Sequence, residues 1–357
     1  MQRLPRNPLR FDPIELYSSV GRDNDYKIEA DADHDDFLTK IGESLKSSVQ
    51  NPNLIHGKRV EALFAHVAGA LGRCKFIKQE DSGAMFANGK NLQAPDYSLI
   101  LHDGRRFMVE VKNFYSGDPH DKFFLKKNYV EHLENYAEMH GAELKFAIYF
   151  TRLNRWILLP KSSFLEKGTK YYTTFIHSYP RSEMIELGDR MIGTKPNLSI
   201  ELIASKEVKA YITDDNEASL TVGDVKMYCD EKEIESVTEK NIAFYLIRFG
   251  RWTTDKPVGI THDDELYSVR FEFTPEDGWD ETQGFAIVGE LSSMVSTAYN
   301  EMTIYENRVI ALDVRADPEI FQVDIPENYK GKDLPLWQLL IKPNDQCLDY
   351  NPDELRK

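Results

Sequence analysis

Apolar residues at Val60, Leu63, Phe64, Val67, Ala68 and Leu71 recur at spacings of three and four, the pattern of a helix with one buried face, and Gly72 is placed to end it. Downstream the period shortens to two. Strands are expected over 75–79, 96–102 and 106–114, and Asp103-Gly104 between the last two is a two-residue hairpin signal. Tyr129, Val130, Leu133, Tyr136 and Ala137 then form a second helical stripe with Gly141 near its end. Two further strands follow over 144–151 and 155–159, joined by the polar turn Arg152-Leu153-Asn154. The order helix, three strands, helix, two strands predicts a mixed sheet flanked by helices, an α/β domain over residues 51–160.

The pattern is weaker on either side. Residues 1–50 mix Pro, Asp and Ser with few periodic apolar positions, which suggests an N-terminal arm or cap with one short helix over 37–49. Beyond Pro160 short apolar runs alternate with turn clusters. Strands are expected over 198–204, 208–212, 224–228, 267–273, 284–288 and 308–314, and helices over 239–249 and 291–299. With no repeat of fixed period, this reads as a C-terminal α+β domain over residues 161–357.

Composition narrows the class. At 357 residues, 41% hydrophobic and 29% charged, the chain can bury cores and is not a disordered or low-complexity protein. The apolar run around 244–249 is far short of the roughly 18 residues a membrane helix needs, and no apolar segment follows the basic first residues. A cytoplasmic protein without a membrane partner is expected. Cys74, Cys229 and Cys347 are widely separated, which argues for free thiols and against a disulfide framework or a thiolate zinc site. The net charge of −15 counts against a nucleic-acid partner, but it is unevenly spread. Residues 51–160 carry 15 Lys and Arg against 12 Asp and Glu, whereas residues 161–357 carry 22 against 37. The middle segment alone is basic, which suits a local nucleic-acid surface beside an acidic domain.

The chemistry concentrates between Ala94 and Lys112. Alternation along a strand puts Met108, Glu110 and Lys112 on one face and Phe107, Val109 and Val111 on the other. Packing the apolar trio against a helix fixes that register, and the hairpin brings Asp96 to the same region. Two carboxylates and an ammonium then converge. Such a pair of carboxylates favours magnesium, which keeps waters and phosphate oxygens in its remaining positions, and a neighbouring lysine can orient an attacking water. A surface ion pair between Glu110 and Lys112 is the simpler alternative. Ser98 and Asn113 are candidates for the rim, and His102 reads as a turn residue.

Other constellations lack parts. The cluster Asp31, Asp33, Asp35 and Asp36 has Asp36 where a calcium loop needs Gly and Gly42 where it needs Glu, so a solvated face is expected. Asp214-Asp215 and Asp263-Asp264-Glu265 read as loops. No phosphate-binding glycine loop, H-E-x-x-H or G-x-S-x-G occurs. Trp252, Trp279 and Trp337 read as core residues, with Trp252 alone having basic neighbours, Arg248 and Arg251, that would suit nucleic-acid contact.

Pro95-Asp96 followed by Glu110-Val111-Lys112 across a β-turn resembles the PD-(D/E)xK nuclease superfamily, the restriction-endonuclease-like fold that also includes archaeal Holliday-junction resolvases. The resemblance covers residues 55–160 and rests on a short signature. It implies a restriction-endonuclease-like mixed sheet and a metal-dependent nuclease with Asp96, Glu110 and Lys112 as catalytic residues. It further implies Asp96 and Glu110 as ligands of Mg2+, with Mn2+ as a substitute. Glu61, on the helix before the hairpin, corresponds to the supporting carboxylate of such folds. Lys126, with Lys127 as its competitor, corresponds to the residue aimed at the site from the following helix. The implied partner is nucleic acid, DNA before RNA, in defence against foreign DNA or in repair and recombination. Cutting two strands calls for a homodimer, with the C-terminal domain contacting a second copy or a partner protein. The alternatives are a non-catalytic nuclease-fold scaffold and an acidic phosphate-mimicking protein.

Overall fold

Asn51 opens the first strongly periodic helix as the sequence predicts. Its side chain accepts from the Leu54 N–H at 3.2 Å, and Pro52 follows at a position where a missing N–H costs nothing. The structure is a computed structural model that describes residues 1–2, 13–80, 86–87, 91–212, 217–263, 265–325 and 329–347. Asp214, Asp215 and Asp264 lie outside the described residues.

The chain divides into two units. The first comprises Met1–Gly188, Tyr299–Phe321 and the segment from Lys342 onward, and the second Asp189–Ala298 and Gln322–Ile341. In the first unit α1 (Pro13–Asn24), α2 (Asp31–Val49) and α3 (Pro52–Ala70) precede β1 (Cys74–Gln79), β2 (Tyr97–Leu101) and β3 (Arg106–Phe114). β4 (Phe123–Lys126), α4 (Lys127–Met139), β5 (Glu143–Phe150) and β6 (Arg155–Pro160) follow. The central sheet has the order β1-β2-β3-β5-β6, antiparallel throughout except for the parallel β3–β5 pair, which α4 bridges. This is the mixed sheet with flanking helices that the pattern predicts.

Both faces of the sheet are covered. α3 buries Val60, Leu63, Phe64 and Val67, and Phe64 packs on Tyr97 and Trp156 at ring separations of 5.8 and 5.5 Å. On the opposite face Val130 and Leu133 of α4 pack with Phe146, Ile148, Phe150, Ile157 and Leu159. β4 leaves the central sheet and joins β7 (Leu165–Lys167) and β8 (Lys170–Thr173) in a three-stranded sheet of order β4-β8-β7. Two one-turn helices, α5 (Phe175–Ser178) and α6 (Met184–Leu187), complete this stretch. The compositional break at Pro160 therefore lies inside the first unit, because the strands after it pair with β4, some 45 residues upstream.

The N-terminal segment is more helical than expected. α2 begins at Asp31, six residues before the expected start, and α1 precedes it. The acidic cluster is its first turns: Asp31 and Asp33 favour the helix N-terminus, Asp33 accepts from the Lys27 N–H at 2.7 Å, and Asp36 pairs with Lys40 at 2.6 Å. The expected strand over 308–314 is only Arg308–Val309, since the Ile310 N–H turns back to the Thr303 carbonyl at 2.8 Å.

The second unit is antiparallel α+β, as the turn-rich texture suggests. β9 (Met191–Thr194), β10 (Leu198–Ala204), the short pair β11 (Tyr211–Ile212) and β12 (Ala218–Ser219), β13 (Val222–Cys229) and β14 (Lys232–Glu233) lead to α7 (Val237–Phe249). β15 (Trp252–Thr254), β16 (Val258–His262), β17 (Glu265–Pro275), β18 (Ala286–Glu290) and α8 (Leu291–Thr303) follow. β21 (Leu336–Leu339) is a further short strand of this unit, whereas β19 (Ile304–Tyr305) and β20 (Arg308–Val309) pair with each other in a segment of the first unit. Sheets of order β14-β13-β10-β17-β15, with β16 beside β17, and β18-β9-β21 form the unit. The nucleic-acid reading of Trp252 fails: its indole donates to the Leu246 carbonyl at 2.7 Å, and Arg251 is held by Glu276 and Asp277. Cys74 and Cys229 are buried and all three thiols are free.

Residues 299–321 return to the first unit and fasten onto α3. Arg59, fully buried, donates to Asn300 Oδ1 at 2.7 Å and Thr303 Oγ1 at 3.2 Å, and His66 Nε2 meets Asp313 at 2.9 Å. Gly69 permits the closest approach, because a Cβ there would lie 2.7 Å from Pro318 Cβ. Gly69→Ala is expected to destabilise the first unit by about 1–3 kcal/mol, read as a lower urea midpoint, since a proline ring cannot yield as a flexible side chain would. An unchanged midpoint would show that the returning segment adds nothing to the core.

Candidate functional site

The β2–β3 register builds the site. Tyr97 lies opposite Val109, so Asp96, one residue before β2, comes opposite Glu110. Asp96 is anchored by backbone as well as placed by it: its Oδ2 accepts the Val111 N–H at 2.8 Å. Pro95 is buried, and the Asp96 carbonyl accepts the Glu80 N–H at 2.9 Å, tying the entry of β2 to the end of β1.

Alternation along β3 runs as predicted. Phe107, Val109 and Val111 are buried on one face. Glu110 is buried on the other, in register with Phe146 on β5, which in turn lies opposite Leu159 on β6. Lys112 follows on the same face, and its ammonium hydrogen-bonds Glu110 Oε1. The Tyr129 hydroxyl donates to the same Glu110 oxygen and accepts from Lys112 Nζ at 3.1 Å. Lys112 Nζ also sits 5.3 Å from the centre of the Tyr129 ring. Glu110, Lys112 and Tyr129 thus form a closed triangle.

Electrostatics extend the group to α3. Burial pushes the Glu61 carboxyl above its ordinary range and the nearby Asp96 charge adds to the rise, while Lys58, at 2.6 Å, and Lys112 oppose it. Glu110 is likewise raised, first by burial and also by Asp96, against the pull of Lys112 and Tyr129. Burial alone would lower the Lys112 ammonium; Glu110, Tyr129 and Asp96 outweigh it and the net shift is upward. Tyr129 is raised by burial and by Glu110. Three acidic side chains, Glu61, Asp96 and Glu110, therefore interact in a partly desolvated place at one end of the sheet.

Among the described residues no three His, Cys, Asp or Glu side chains converge at metal-ligating spacing. The donor set nevertheless fits a hard divalent cation: it is all carboxylate, and two of its members are driven toward the neutral form by like charge and burial, a strain that a cation relieves. Asp96 and Glu110 are the pair that could hold one, and Glu61 acts on Asp96 through its charge.

Not every expected residue joins the group. Lys126 is exposed at the end of β4, directly opposite Lys170 of β8. Lys127 pairs with Glu166. Asn113 Oδ1 is taken by the Thr151 hydroxyl, and Ser98 lies opposite Met108. His102 lines a cavity of about 470 Å3 with Arg73, Leu101, Arg105 and Glu186. That cavity opens at the opposite end of β2 from Asp96, so it is no part of the carboxylate group. Sequence reasoning missed Tyr129, which it placed on the apolar stripe of α4. The available signal was a phenol in the first turn of the helix that follows Glu110-Val111-Lys112.

No protein-family model matches the chain, and no curated protein matches it. Among solved structures, a Holliday junction resolvase from the archaeal hyperthermophile Archaeoglobus fulgidus is similar to part of it. The two share 17% identity over 29% of this chain and 80% of that one, with a TM-score of 0.24. A likeness that slight is a partial one, and the site has to be read from its own geometry. No helix among the described residues is long and apolar enough to cross a membrane.

Lys112→Met tests the triangle without substrate. It leaves Glu110 buried and uncompensated, so the variant is expected to lose about 2–3 kcal/mol at pH 8, discounted for the partial exposure of Lys112. The Glu110 carboxyl, raised in the folded state, then binds a proton more tightly folded than unfolded. Stability should accordingly be highest below the unfolded carboxylate range and fall as pH rises through the folded value. Urea midpoints at pH 5 and pH 8 measure this; an equal loss at both would mean that Glu110 is not the group left unpaired.

Proposed function

We propose that the chain is a metal-dependent nuclease, with duplex DNA as its first candidate substrate. The single observation that carries this reading is the Asp96–Glu110–Lys112 group, in which an acid fixed to the Val111 amide faces an acid paired to a lysine two residues along the same strand. The resemblance of Pro95-Asp96 and Glu110-Val111-Lys112 to the PD-(D/E)xK signature supports it.

Each residue has a definite task in this reading. Asp96, with one oxygen fixed by the Val111 N–H, and Glu110 hold a divalent cation, and Glu61 supports them from α3. A magnesium ion, when bound, polarises a phosphodiester and lowers the pKa of a coordinated water. Lys112 is held protonated beside Glu110, so it is a fixed positive charge that orients the attacking water and stabilises charge growing on the phosphoryl oxygens. Tyr129 is a positioning residue: its hydroxyl links Glu110 to Lys112 and keeps the lysine from swinging into solvent.

One observation favours a second reading. Lys112 and Tyr129 already occupy a Glu110 oxygen, an arrangement that also suits a nuclease-like fold used only to bind nucleic acid. The two readings separate in one assay. Supercoiled plasmid, linear duplex, a four-way junction and RNA are incubated with Mg2+, with Mn2+ and with chelator. Cleavage that needs metal and falls about 100-fold or more in Asp96→Asn, Glu110→Gln and Lys112→Met is the expected result. Tyr129→Phe should lower kcat with KM little changed. Metal-independent binding without cleavage by the parent, or full activity in the Asp96 and Lys112 variants, would overturn the nuclease reading.

A further inference from the structure

The small β4-β8-β7 sheet carries a row of three lysines. Lys126 of β4 lies directly opposite Lys170 of β8, and Lys170 lies directly opposite Lys167 of β7. Residues opposed across an antiparallel pair share a face with Cβ atoms about 4.5–5.5 Å apart, and like charges so placed repel. The register is fixed. The β7–β8 loop has only two residues, Gly168 and Thr169, with Gly168 at φ 57°, a left-handed turn that leaves the strands no slack. The Lys127 N–H closes the sheet onto α4 by donating to the Thr169 carbonyl at 2.9 Å.

Lysines on edge strands also block pairing with another chain, but here they form a row across all three strands. Acids are close by: Lys127 pairs with Glu166. Lys126, Lys167 and Lys170 are all exposed, and among the described residues no carboxylate pairs with any of them. The next row on the same face is aromatic. Phe124 lies opposite Tyr172 with ring centres 5.8 Å apart, and Lys170 Nζ and Lys122 Nζ stand 5.3 and 5.1 Å from the Phe124 and Tyr172 rings. The opposite face of β4 is buried through Phe123 and Leu125, so the lysines are the solvent side of a supported platform.

The row also lies beside the candidate site. α4 begins immediately after Lys126, and Tyr129, whose hydroxyl touches Glu110 and Lys112, is one helical turn further on. We propose that Lys126, Lys170 and Lys167 form the track that seats the phosphodiester backbone of a DNA duplex and delivers it to the carboxylates. The proposal rests on the nuclease reading for its substrate. It assigns Lys126 a role in substrate binding in place of one in the chemical step.

The test is duplex binding by fluorescence anisotropy of the full chain in chelator, across 50 to 300 mM salt, with a labelled 30-base-pair DNA and the matching RNA duplex as probes. Three lost phosphate contacts should flatten the slope of log K against log salt by about 2 to 3. Lys126→Gln/Lys167→Gln/Lys170→Gln is therefore expected to show that flattening and at least a tenfold weaker binding at low salt. Lys206→Gln/Lys209→Gln/Lys256→Gln, with the same change in net charge, should keep the parent slope. The first triple variant should melt no lower than the parent at low salt, since it removes repulsion. A slope loss on the RNA duplex alone would overturn the assignment of the track to DNA. A parent that binds and cuts DNA while the first triple variant keeps its slope would overturn the track and leave the nuclease reading standing. Equal flattening in both triple variants, or a parent that binds neither probe, would also overturn it, while cleavage with Mg2+ decides the nuclease reading separately.

Discussion

Glu110 places a carboxyl group where its neighbours are hydrocarbon, and the surrounding structure answers to that constraint. It stands in a cross-strand row with Phe146 and Leu159, both fully buried. A carboxylate there is tolerated only with a partner, because desolvation of an unpaired charge costs far more than any single contact returns. Alternation supplies one: Lys112, two residues on, is the first side chain on the same face that can fold back to it. Tyr129 closes the remaining side. With helices over both faces of the sheet, Glu110 cannot turn away into bulk water without undoing packed core, and Lys112, partly exposed, is kept in place by Tyr129.

Topology brings the pieces to one end of the sheet. β3 and β5 are parallel, so the chain must cross over between them, and the crossover helix α4 lays Tyr129 above the end of β3. β2 is antiparallel to β3, so its first residue, not its last, lies beside Glu110; that is why Asp96, ahead of β2, faces the group. α3 covers the other face, and Glu61, midway along it, comes within electrostatic reach of Asp96 and Lys112. Four segments spread over some 70 residues thereby share one small volume, with β-sheet hydrogen bonds instead of a loop holding the geometry.

Much of this was legible in the sequence because each part is a local pattern. The three-and-four spacing of α3, the Asp103-Gly104 turn and the period of two through β3 each stand alone, and together they fix which side chains share a face. What escaped depends on contacts distant along the chain. β4 and β8 are four residues each, too short for periodicity, and they acquire strand character only by pairing with one another. Arg59 adjoins the apolar stripe of α3 without belonging to it, yet it is buried because residues 299–321 return to cover it. The run 308–314 looks like a strand by composition, but its backbone turns back on the end of α8 and Asp313 serves His66. Tyr129 hid inside a correct helix assignment: the stripe predicted its burial and said nothing of its hydroxyl.

Charge shows the same division between local and summed information. A net −15 argues against a polyanionic partner only if the charges act together, and exposed charges more than about 8–10 Å apart are largely screened at physiological salt. A phosphate backbone therefore responds to the surface within a Debye length of it. On the β4-β8-β7 face that surface is lysine, and its register concentrates positive charge more tightly than sequence spacing implies, since Lys126 and Lys170 are 44 positions apart in the chain and opposite one another in the sheet. Composition by segment found residues 51–160 mildly basic; strand pairing decides where positive charge collects on the β4-β8-β7 face. Asp96, Glu110 and Glu61 gather at the end of the central sheet, where burial and the Asp96 charge push the other two carboxyls above their ordinary range and a bound cation would offset that repulsion.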